Sequence, residues 1–169
     1  FCSSDLDALA LGPIAAIPSL PANVRLVIAG DGPERQRIEE KVASAGPCVS
    51  GRVELAGFQR GDALKAYVER ASLAIASSRW RENMPYSIVE AFACGTPVIG
   101  TNIGGIPELV VEGETGFICE PGSSSSLTEA IVRGFAAFND QTRYASMQAS
   151  CRAYVLERCS QDTYVKHLT

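Results

Sequence analysis

Residues 77–108 read SSRWRENMPYSIVEAFACGTPVIGTNIGGIPE, and the rest of the chain is organised around this stretch. Asn83 and Pro85 favour a helix start, because asparagine is a good N-cap and proline is tolerated in a first turn. We therefore predict a helix over residues 85–94, with Gly95 as its C-terminal stop. The apolar side chains at helical spacing, which would face a core, are Pro85, Ile88, Val89 and Phe92.

Two acids, Glu82 and Glu90, lie on either side of this predicted helix start, separated by seven residues. Helical side chains lean toward the N-terminus of their helix, so Glu90 would reach back over the first turn. The first backbone N–H groups of a helix have no partner inside it. Carboxylates bind hydroxyl groups and free amides bind polar oxygens, so the stretch predicts a site for a polar, hydroxyl-bearing ligand.

Apolar runs rich in β-branched residues alternate with helical segments along the chain. The run at residues 24–29 is nearly continuous, which is typical of a strand buried on both faces of a parallel sheet. Further strands are predicted over residues 52–57, 72–77 and 96–100, and residues 113–119 are predicted to form a turn and a last short strand. Helices are predicted from Ser4 or Asp5 to a break at Gly12-Pro13, and over residues 34–45, 64–70, 107–111, 127–138 (capped by a serine of 123–126), 142–158 and 161–168. This alternation predicts an α/β fold, a Rossmann-like parallel sheet with helices on both faces, in one domain over residues 1–169.

Several predicted strands end in small or glycine-bearing loops, which a parallel sheet brings together at its ligand-binding edge. We expect the loops at Gly30 and at Phe58 and Gln59 to gather there beside the two acids. Gly30-x-Gly32 lacks the third glycine of a dinucleotide-binding fingerprint, since Arg35 stands in its place. We interpret it as a tight strand-to-helix turn whose backbone at Gly30 borders the ligand.

The composition excludes several classes of protein. With 169 residues, 46% hydrophobic content and a net charge of −4, the chain resembles an ordinary globular domain without the basic stripe that binds nucleic acid. It has no apolar run of about 20 residues and no basic region ahead of an apolar start, so we expect neither a membrane span nor a signal peptide. The six cysteines form no C-x-x-C pair, and we expect reduced, largely buried thiols in a cytoplasmic protein. His167 is the only histidine, which disfavours a metal cluster.

Other chemistries fit the residues less well. No serine or cysteine has a histidine to activate it, which argues against a hydrolase triad. Two acids at one helix start resemble ligand holders more than the carboxylates of a retaining glycosidase, which flank the sugar from two sides. Arg79 and Arg81 either bind phosphate or are solvated or bridged to acids. The structural alternative for Glu90 is a solvated helix residue or one that forms a salt bridge with Arg81 or Arg79. Trp80 either stacks on a base or packs in the core, with core packing favoured, and a structural role is favoured for Glu108 in its predicted first turn.

A set of motifs carries a resemblance to a known family. In chain order they are LVIAGDGP (26–33), Glu82-x7-Glu90, AFACGTPVI (91–99), GGIPELV (104–110) and GETGF (113–117). With these motifs the chain resembles the retaining nucleotide-sugar glycosyltransferases of family 4 over about residues 5–165. The resemblance implies the C-terminal, donor-binding half of a two-domain GT-B fold.

This resemblance implies roles for individual residues. The position of Glu82 contacts the hydroxyls of the donor sugar near the reacting carbon and is the catalytic position, and the position of Glu90 binds the ribose hydroxyls. The loop with Phe58 and Gln59 borders the nucleobase. The residues around the helix start that line the sugar and diphosphate are Asn83, Met84, Pro85 (which itself has no N–H) and Tyr86. The family uses a nucleotide diphosphate sugar as donor and no metal or other cofactor, because fixed positive charges and the helix N-terminus offset the charge of the leaving diphosphate.

The chain also departs from the family at its beginning. In the family a strand bearing an arginine, and then a Lys-Gly pair, precede the helix that corresponds to residues 5–17, and a separate N-terminal domain holds the acceptor. We therefore expect a fragment that is inactive by itself. The absent strand belongs in the middle of the sheet, so its loss should leave unpaired backbone on both sides of a gap, at about 1–3 kcal/mol for each buried group. The alternative is a degenerate domain whose strands close up or borrow from another chain.

The leading hypothesis is the donor-binding domain of a retaining glycosyltransferase that transfers a sugar to a glycan, a lipid or a small molecule. One alternative is a non-catalytic module that binds nucleotide sugars or another protein. A second alternative is a nucleotide-sugar epimerase of the GT-B type, which Glu82-x7-Glu90 disfavours. The expected partners are the nucleotide sugar and the N-terminal acceptor domain, and any peripheral contact with a membrane would belong to that other half.

Overall fold

The computed structural model describes residues 12–159 of the chain. Its strands are β1 (Leu26–Ala29), β2 (Val53–Gly57), β3 (Ala74–Ala76), β4 (Val98–Thr101) and β5 (Gly116–Cys119). Its helices are α1 (residues 12–16, running into a 3₁₀ turn at Ile17–Ser19), α2 (Arg35–Ser44), α3 (Pro47–Ser50), α4 (Gly61–Arg70), α5 (Tyr86–Cys94), α6 (Ile106–Leu109), α7 (Ser124–Asn139) and α8 (Gln141–Arg158). This alternation confirms the predicted α/β class with parallel strands. The helix predicted over 161–168 and the helix start predicted at Ser4 or Asp5 lie outside the described residues.

The strands form two parallel sheets instead of one. β1 pairs with β2, whereas β4 lies between β3 and β5 in a second sheet. Within residues 12–159 no strand joins β1 to β3. The interruption falls in the middle of the strand series, where the sequence analysis expects an absent strand to leave a gap.

The three-stranded sheet is covered by helices on both faces. Ile99 and Phe117 pack with Ile131 of α7 on one face. Val98 packs with Phe92 of α5 on the opposite face, because successive residues of a strand point to opposite sides. Helix α8 covers the same face as α5. This part of the molecule has the layered arrangement that the sequence predicts.

The two-stranded sheet is covered less completely. Leu26 and Ile28 of β1 pack in a cluster with Ile38 and Val42 of α2. Val27, which points to the other face, is 41% exposed. The prediction that this strand is buried on both faces is therefore wrong, because the described part of the chain places a full layer of apolar side chains against one face of β1.

Helix α1 packs against the cores of both sheets. Its Ile14 belongs to the cluster under β1 and β2, whereas Ala16 belongs to the cluster between α7 and the three-stranded sheet. The predicted helix break at Gly12-Pro13 is wrong, because both residues lie in the helical stretch 12–16. Burial of Ile14 and Ala16 outweighs the low helix propensity of glycine and proline here.

Arg52 fixes the chain between α1 and β1. Its guanidinium, located just before β2, donates four hydrogen bonds to backbone carbonyl oxygens: those of Ile17 (3.0 Å), Leu20 (3.3 Å), Pro21 (2.6 Å) and Val24 (2.9 Å). Planar guanidinium groups suit such multiple contacts, since their five N–H donors have a fixed geometry. The connection from α1 to β1 is thereby bound to the start of β2.

The two long C-terminal helices, α7 and α8, each begin at a polar N-cap residue. The Ser123 hydroxyl accepts a hydrogen bond from the Ser126 N–H at the start of α7, which confirms the predicted serine cap. The Asp140 carboxylate accepts one from the Arg143 N–H at the start of α8.

Among the described helices, none has the length and apolar composition needed to cross a membrane.

The described cysteines are all free thiols, and they differ in exposure. Cys119 and Cys151 are buried, and burial raises the pKa of the first to about 11 and of the second to about 12. Cys48 and Cys159 are exposed, so the prediction of largely buried thiols is wrong for these two. Cys48 lies on the short helix α3, and Cys159 directly follows the last residue of α8. Cys2 lies outside the described residues.

Candidate functional site

The helix at the centre of the sequence prediction is present as α5. It begins at Tyr86 and ends at Cys94, and Gly95 follows with a φ of 76°, a left-handed conformation that favours glycine. The residue before the helix is Pro85, which is buried and whose carbonyl accepts the Ile88 N–H at 3.0 Å. The predicted cap by Asn83 is wrong, because Pro85 holds the N-cap position and no side chain caps the first turn.

The first turn of α5 therefore keeps free backbone donors. Within residues 12–159 the N–H groups of Tyr86 and Ser87 have no hydrogen-bond acceptor. Free N–H groups and the helix dipole give this end a partial positive charge, which favours a negatively charged or oxygen-rich group. The helix start therefore offers donors to a ligand.

Glu82 and Glu90 lie on the two sides of this helix start. Glu82 is half-buried in the loop before α5, and Glu90 is exposed on the helix one turn in. In the described part of the chain neither carboxylate has a hydrogen bond or an ion pair, so the alternative of a bridge from Glu90 to Arg79 or Arg81 is not realised. Both acids keep their full capacity to accept hydrogen bonds.

A glycine turn after β4 supports the loop that carries Glu82. The Gly105 N–H donates to the Glu82 carbonyl at 2.7 Å. A Cβ on Gly104 would lie 2.6 Å from the same carbonyl oxygen, and a Cβ on Gly105 would collide with the carbonyl of Asn83. The sequence analysis did not assign this contact, although paired glycines are a signal for such close backbone approach.

Two buried hydroxyls anchor the start of the same loop. The Thr101 hydroxyl at the end of β4 donates to the Ser78 carbonyl at 2.7 Å. The Ser78 hydroxyl accepts from the Trp80 N–H at 3.3 Å. Thr101 and Ser78 are both buried. The loop from β3 to α5 is thus fixed at its beginning by Ser78 and at Glu82 by the glycine turn.

Exposed apolar side chains surround the start of α5. Trp80 is 67% exposed and Tyr86 is 75% exposed, and Met84 between them is also exposed. The favoured prediction of core packing for Trp80 is wrong, because its side chain lies on the surface of the loop. Two arginines flank it: Arg81 lies beside the Gly104 turn and Arg79 beside Gly122.

The loops after β1 and β2 contact each other. The Gly30 N–H donates to the Gly57 carbonyl at 2.8 Å, and the Asp31 carboxylate accepts from the Gly32 N–H at 2.9 Å. The Gln59 amide donates to the Ala56 carbonyl at 2.6 Å. The first two hydrogen bonds stabilise the tight turn at Gly30 to Gly32 that the sequence predicts. The third stabilises the turn after β2.

Phe58 follows Gly57 and is 53% exposed. No described hydrogen bond or ion pair connects the loops of Gly30 and Gln59 to Glu82 or Glu90. Asn83, Met84, Pro85 and Tyr86 adjoin the two acids in the loop before α5 and in its first turn, whereas Gly30 follows β1, and Phe58 and Gln59 follow β2. Within residues 12–159, no group of three or more His, Cys, Asp or Glu side chains has the arrangement of a metal site.

The fold and these motifs define a glycosyltransferase domain. The family model of glycosyl transferases group 1 matches residues 12–148, and the chain belongs to this family. Almost the whole described part of the chain lies within the match, including the α5 helix start and the glycine turn.

Two curated relatives have names that describe the transfer of a sugar. N-acetyl-alpha-D-glucosaminyl L-malate synthase of Bacillus anthracis is 29% identical over 143 residues, which cover 85% of this chain and 35% of that protein. Lipopolysaccharide 1,2-N-acetylglucosaminetransferase of Salmonella typhimurium is 32% identical over 134 residues, or 76% of this chain and 35% of that protein. The chain thus spans about one third of the length of these relatives.

Solved structures show the same fold. Anabaena Alr3699/HepE in complex with UDP and glucose aligns with a TM-score of 0.83 at 24% identity, over 98% of this chain and 45% of that one. A glycosyltransferase from Rickettsia africae aligns with a TM-score of 0.82 at 22% identity, over 98% of this chain and 44% of that one. The chain has the fold of one domain of the GT-B glycosyltransferase structures.

Proposed function

We propose that this chain is the donor-binding domain of a retaining glycosyltransferase, which transfers a sugar from a nucleotide diphosphate sugar to an acceptor held by a second domain. The observation that carries the proposal is the start of α5. Glu82 and Glu90, two carboxylates without a partner among residues 12–159, lie on either side of a first turn whose N–H groups have no acceptor within the same residues. A nucleotide sugar has hydroxyls for the carboxylates and a diphosphate for the amides.

Glu90 is assigned to the ribose of the nucleotide. A carboxylate accepts two hydrogen bonds from neighbouring hydroxyls such as a ribose diol, and bonds to a charged acceptor are the strong ones. Glu90 is exposed and has no described partner to displace. Ribose binding therefore breaks no existing hydrogen bond of this side chain.

Glu82 is assigned to the hydroxyls of the donor sugar near the reacting carbon. Its backbone is bound to Gly105 and its loop is fixed at Ser78, so its side chain starts from a defined position. Positions fixed in this way lower the entropic cost of orienting a substrate. The rigidity of the loop supports a role in which sugar and reacting carbon must be held in one geometry.

The first turn of α5 is assigned to the sugar and diphosphate. When the glycosidic bond breaks, the negative charge on the leaving diphosphate grows, and fixed N–H donors stabilise it. We propose that this stabilisation operates without a metal and that the product keeps the anomeric configuration of the donor. Arg79 and Arg81 are the cations of the described loop that are closest in sequence to this turn.

The comparisons support a uridine nucleotide as the first ligand to test. Anabaena Alr3699/HepE holds UDP and glucose, and the two curated relatives carry names with N-acetylglucosaminyl transfer. Phe58, exposed at the end of β2, offers an aromatic face to a nucleobase. We propose UDP-sugars as the donor class and assign the base contact to Phe58 and Gln59.

Calorimetric titration of UDP into the 169-residue chain tests the ribose assignment. Glu90→Gln should weaken UDP binding by about 1.5–3 kcal/mol, the scale of hydrogen bonds to a charged group. The matched control is Glu129→Gln, which changes an exposed glutamate on α7 and should leave UDP affinity unchanged. If Glu90→Gln binds UDP as tightly as the parent chain, at equal thermal stability, the ribose assignment is wrong.

A comparison of UDP with UDP-glucose tests Glu82. Glu82→Gln should weaken the binding of UDP-glucose while leaving that of UDP within about twofold, because only the sugar contacts this carboxylate. The 169-residue chain incubated with UDP-glucose and added saccharides should form no glycoside, since the acceptor belongs to a second domain. Turnover by the chain alone would contradict the need for that domain, and equal loss of UDP and UDP-glucose binding would contradict the assignment of Glu82.

A further inference from the structure

The strand β5 lies at one end of the three-stranded sheet, with β4 on its inner side. The Asn102 N–H, just after β4, donates to the Cys119 carbonyl at 2.8 Å, so Cys119 faces β4. Backbone groups of successive strand residues point in opposite directions within the sheet. The N–H and C=O groups of Gly116 and Ile118 therefore point to the outer edge, where no described strand pairs with β5.

The turn before β5 occupies the outward groups of Gly116. Its N–H donates to the Val111 carbonyl at 3.3 Å, and its carbonyl accepts the Gly113 N–H at 2.8 Å. Both hydrogen bonds are made within a few residues of the chain. The first half of the outer edge is thus closed by its own backbone.

Two charged side chains occupy the outward groups of Ile118. Its N–H donates to Glu112 Oε2 at 2.8 Å, and its carbonyl accepts from Arg133 Nη2 at 2.9 Å. The two side chains also bind each other, since Arg133 Nε donates to Glu112 Oε1 at 3.0 Å. The carboxylate takes the place of a carbonyl of a neighbouring strand, and the guanidinium takes the place of its N–H. All four outward backbone groups of β5 are therefore bonded.

The exposure of this ion pair indicates what it contributes. The side chains of Arg133 and Glu112 are 43% and 52% exposed, and exposed ion pairs add little to the stability of a fold. An unpaired strand edge, in contrast, is a template for pairing with another chain. The main effect of the pair is therefore expected on association and not on folding.

Apolar side chains adjoin the charged pair. Val111 directly precedes Glu112 and is 43% exposed, and Val132 directly precedes Arg133 and is 49% exposed. Arg133 also lies over the ring of Phe117, with its guanidinium carbon 5.8 Å from the ring centroid. Pairing along this edge would remove apolar surface from water, which favours association once the charged groups are gone.

We propose that the Glu112–Arg133 pair is an edge guard, which prevents a second copy of this chain from pairing with β5. The partner that fits the unguarded edge is β5 of that second copy, in antiparallel orientation about a twofold axis, because such a contact uses the same surface on both sides. In this arrangement the two Ile118 residues exchange both of their hydrogen bonds. The inference concerns association and does not depend on the proposed donor site.

Sedimentation equilibrium of the 169-residue chain and of Glu112→Ala/Arg133→Ala tests the guard. The double variant should dimerise at least about tenfold more tightly than the parent chain, because its edge offers an unpaired N–H and C=O at Ile118. The matched control is Lys65→Ala/Glu69→Ala, which removes an exposed ion pair from the surface of α4. This control should associate no more than the parent chain.

The single variant Glu112→Ala keeps the measurement independent of packing at Phe117. It leaves Arg133 over the ring and opens only the N–H of Ile118, so its association should lie between those of the parent chain and the double variant. Circular dichroism verifies that each variant has the helix content of the parent chain.

A proline on the edge identifies the surface of association. In the double variant, Ile118→Pro removes the N–H that a second copy must bind, and it should return association to the level of the parent chain. Amide hydrogen exchange gives a second readout. The Ile118 amide of the double variant should exchange more slowly as the protein concentration rises, whereas in the parent chain its exchange should not depend on concentration.

Three results would overturn the proposal. A folded double variant that associates no more than the parent chain would show that the opened edge does not pair. Equal association by Lys65→Ala/Glu69→Ala would assign the effect to the loss of charged side chains in general. Association of the double variant that survives Ile118→Pro would place the contact on another surface.

Discussion

Val98 in β4 and Val27 in β1 are the same residue in the same kind of strand, yet Val98 is fully buried and Val27 is 41% exposed. The strand β4 has partners on both edges and helices on both faces. Among residues 12–159, the strand β1 has a partner on one edge and a full apolar layer on one face. Strand sequence alone therefore does not determine burial. The exposure of a strand residue depends on which strands and helices pack around its strand.

The largest expected effect on stability concerns the three-stranded sheet of β3, β4 and β5 and the helices that cover it. Phe92→Ala on α5 should lower the free energy of unfolding by about 3–5 kcal/mol, because it removes a fully buried ring and leaves a cavity under the three-stranded sheet. Urea denaturation followed by circular dichroism measures it. A loss below about 1 kcal/mol would mean that this core collapses around the cavity and is less rigid than its burial indicates.

The valine pair gives the most direct comparison of the two sheets. Val98→Ala should cost about 2–3 kcal/mol, from lost burial and a residual cavity. Val27→Ala should cost about 0.5 kcal/mol, since the side chain is already partly in water. The same urea titration applies to both, and equal losses would contradict the difference between the sheets.

The buried thiols should make the stability of the three-stranded sheet and its covering helices fall at alkaline pH. Cys119 and Cys151 have folded pKa values of about 11 and about 12, above the ordinary 9.0, because burial disfavours the thiolate. Their contribution to stability is complete below the unfolded pKa and is lost as the pH rises toward the folded values, by about 2 kcal/mol for the pair between pH 9 and 10. Urea midpoints across this range measure the loss, and Cys151→Ala should roughly halve it. A flat profile would exclude ionisation of these thiols on unfolding.

The last prediction concerns the connection between the three-stranded sheet and the site. Thr101→Val removes the hydroxyl that donates to the buried Ser78 carbonyl, and should cost about 1–2 kcal/mol. It should also weaken UDP-glucose binding more than UDP binding, because the Glu82 loop loses its anchor. Calorimetry with both ligands checks this, with Thr142→Val on the exposed surface of α8 as the control.

The sequence predicts the elements well where local signals agree. The apolar spacing of α5, the αL position at Gly95 and the serine cap of α7 are all local features, and the structure has them. The class of fold follows from the alternation of β-branched runs and amphipathic segments. The pattern therefore predicts the five strands and most of the helices within a few residues at their ends, but it does not predict the short helix α3.

The remaining features depend on contacts between distant residues. Nothing in the run around Val27 indicates that one edge of β1 stays open, because that depends on a strand elsewhere in the chain. Trp80 has the residue type of a core side chain, but its loop carries it to the surface. The support of the Glu82 loop by Gly105 joins residues that are far apart in sequence, and glycine spacing alone does not specify the partner.

Arg52 has a mechanical consequence. Its guanidinium binds four carbonyl oxygens of residues 17–24, so the connection before β1 is attached to the start of β2 through one side chain. A pulling force applied ahead of α1 is carried by the packing of α1 and by these hydrogen bonds before it reaches the β1–β2 ladder. Such a force is therefore shared between β1 and the start of β2, since Arg52 connects the incoming chain to both.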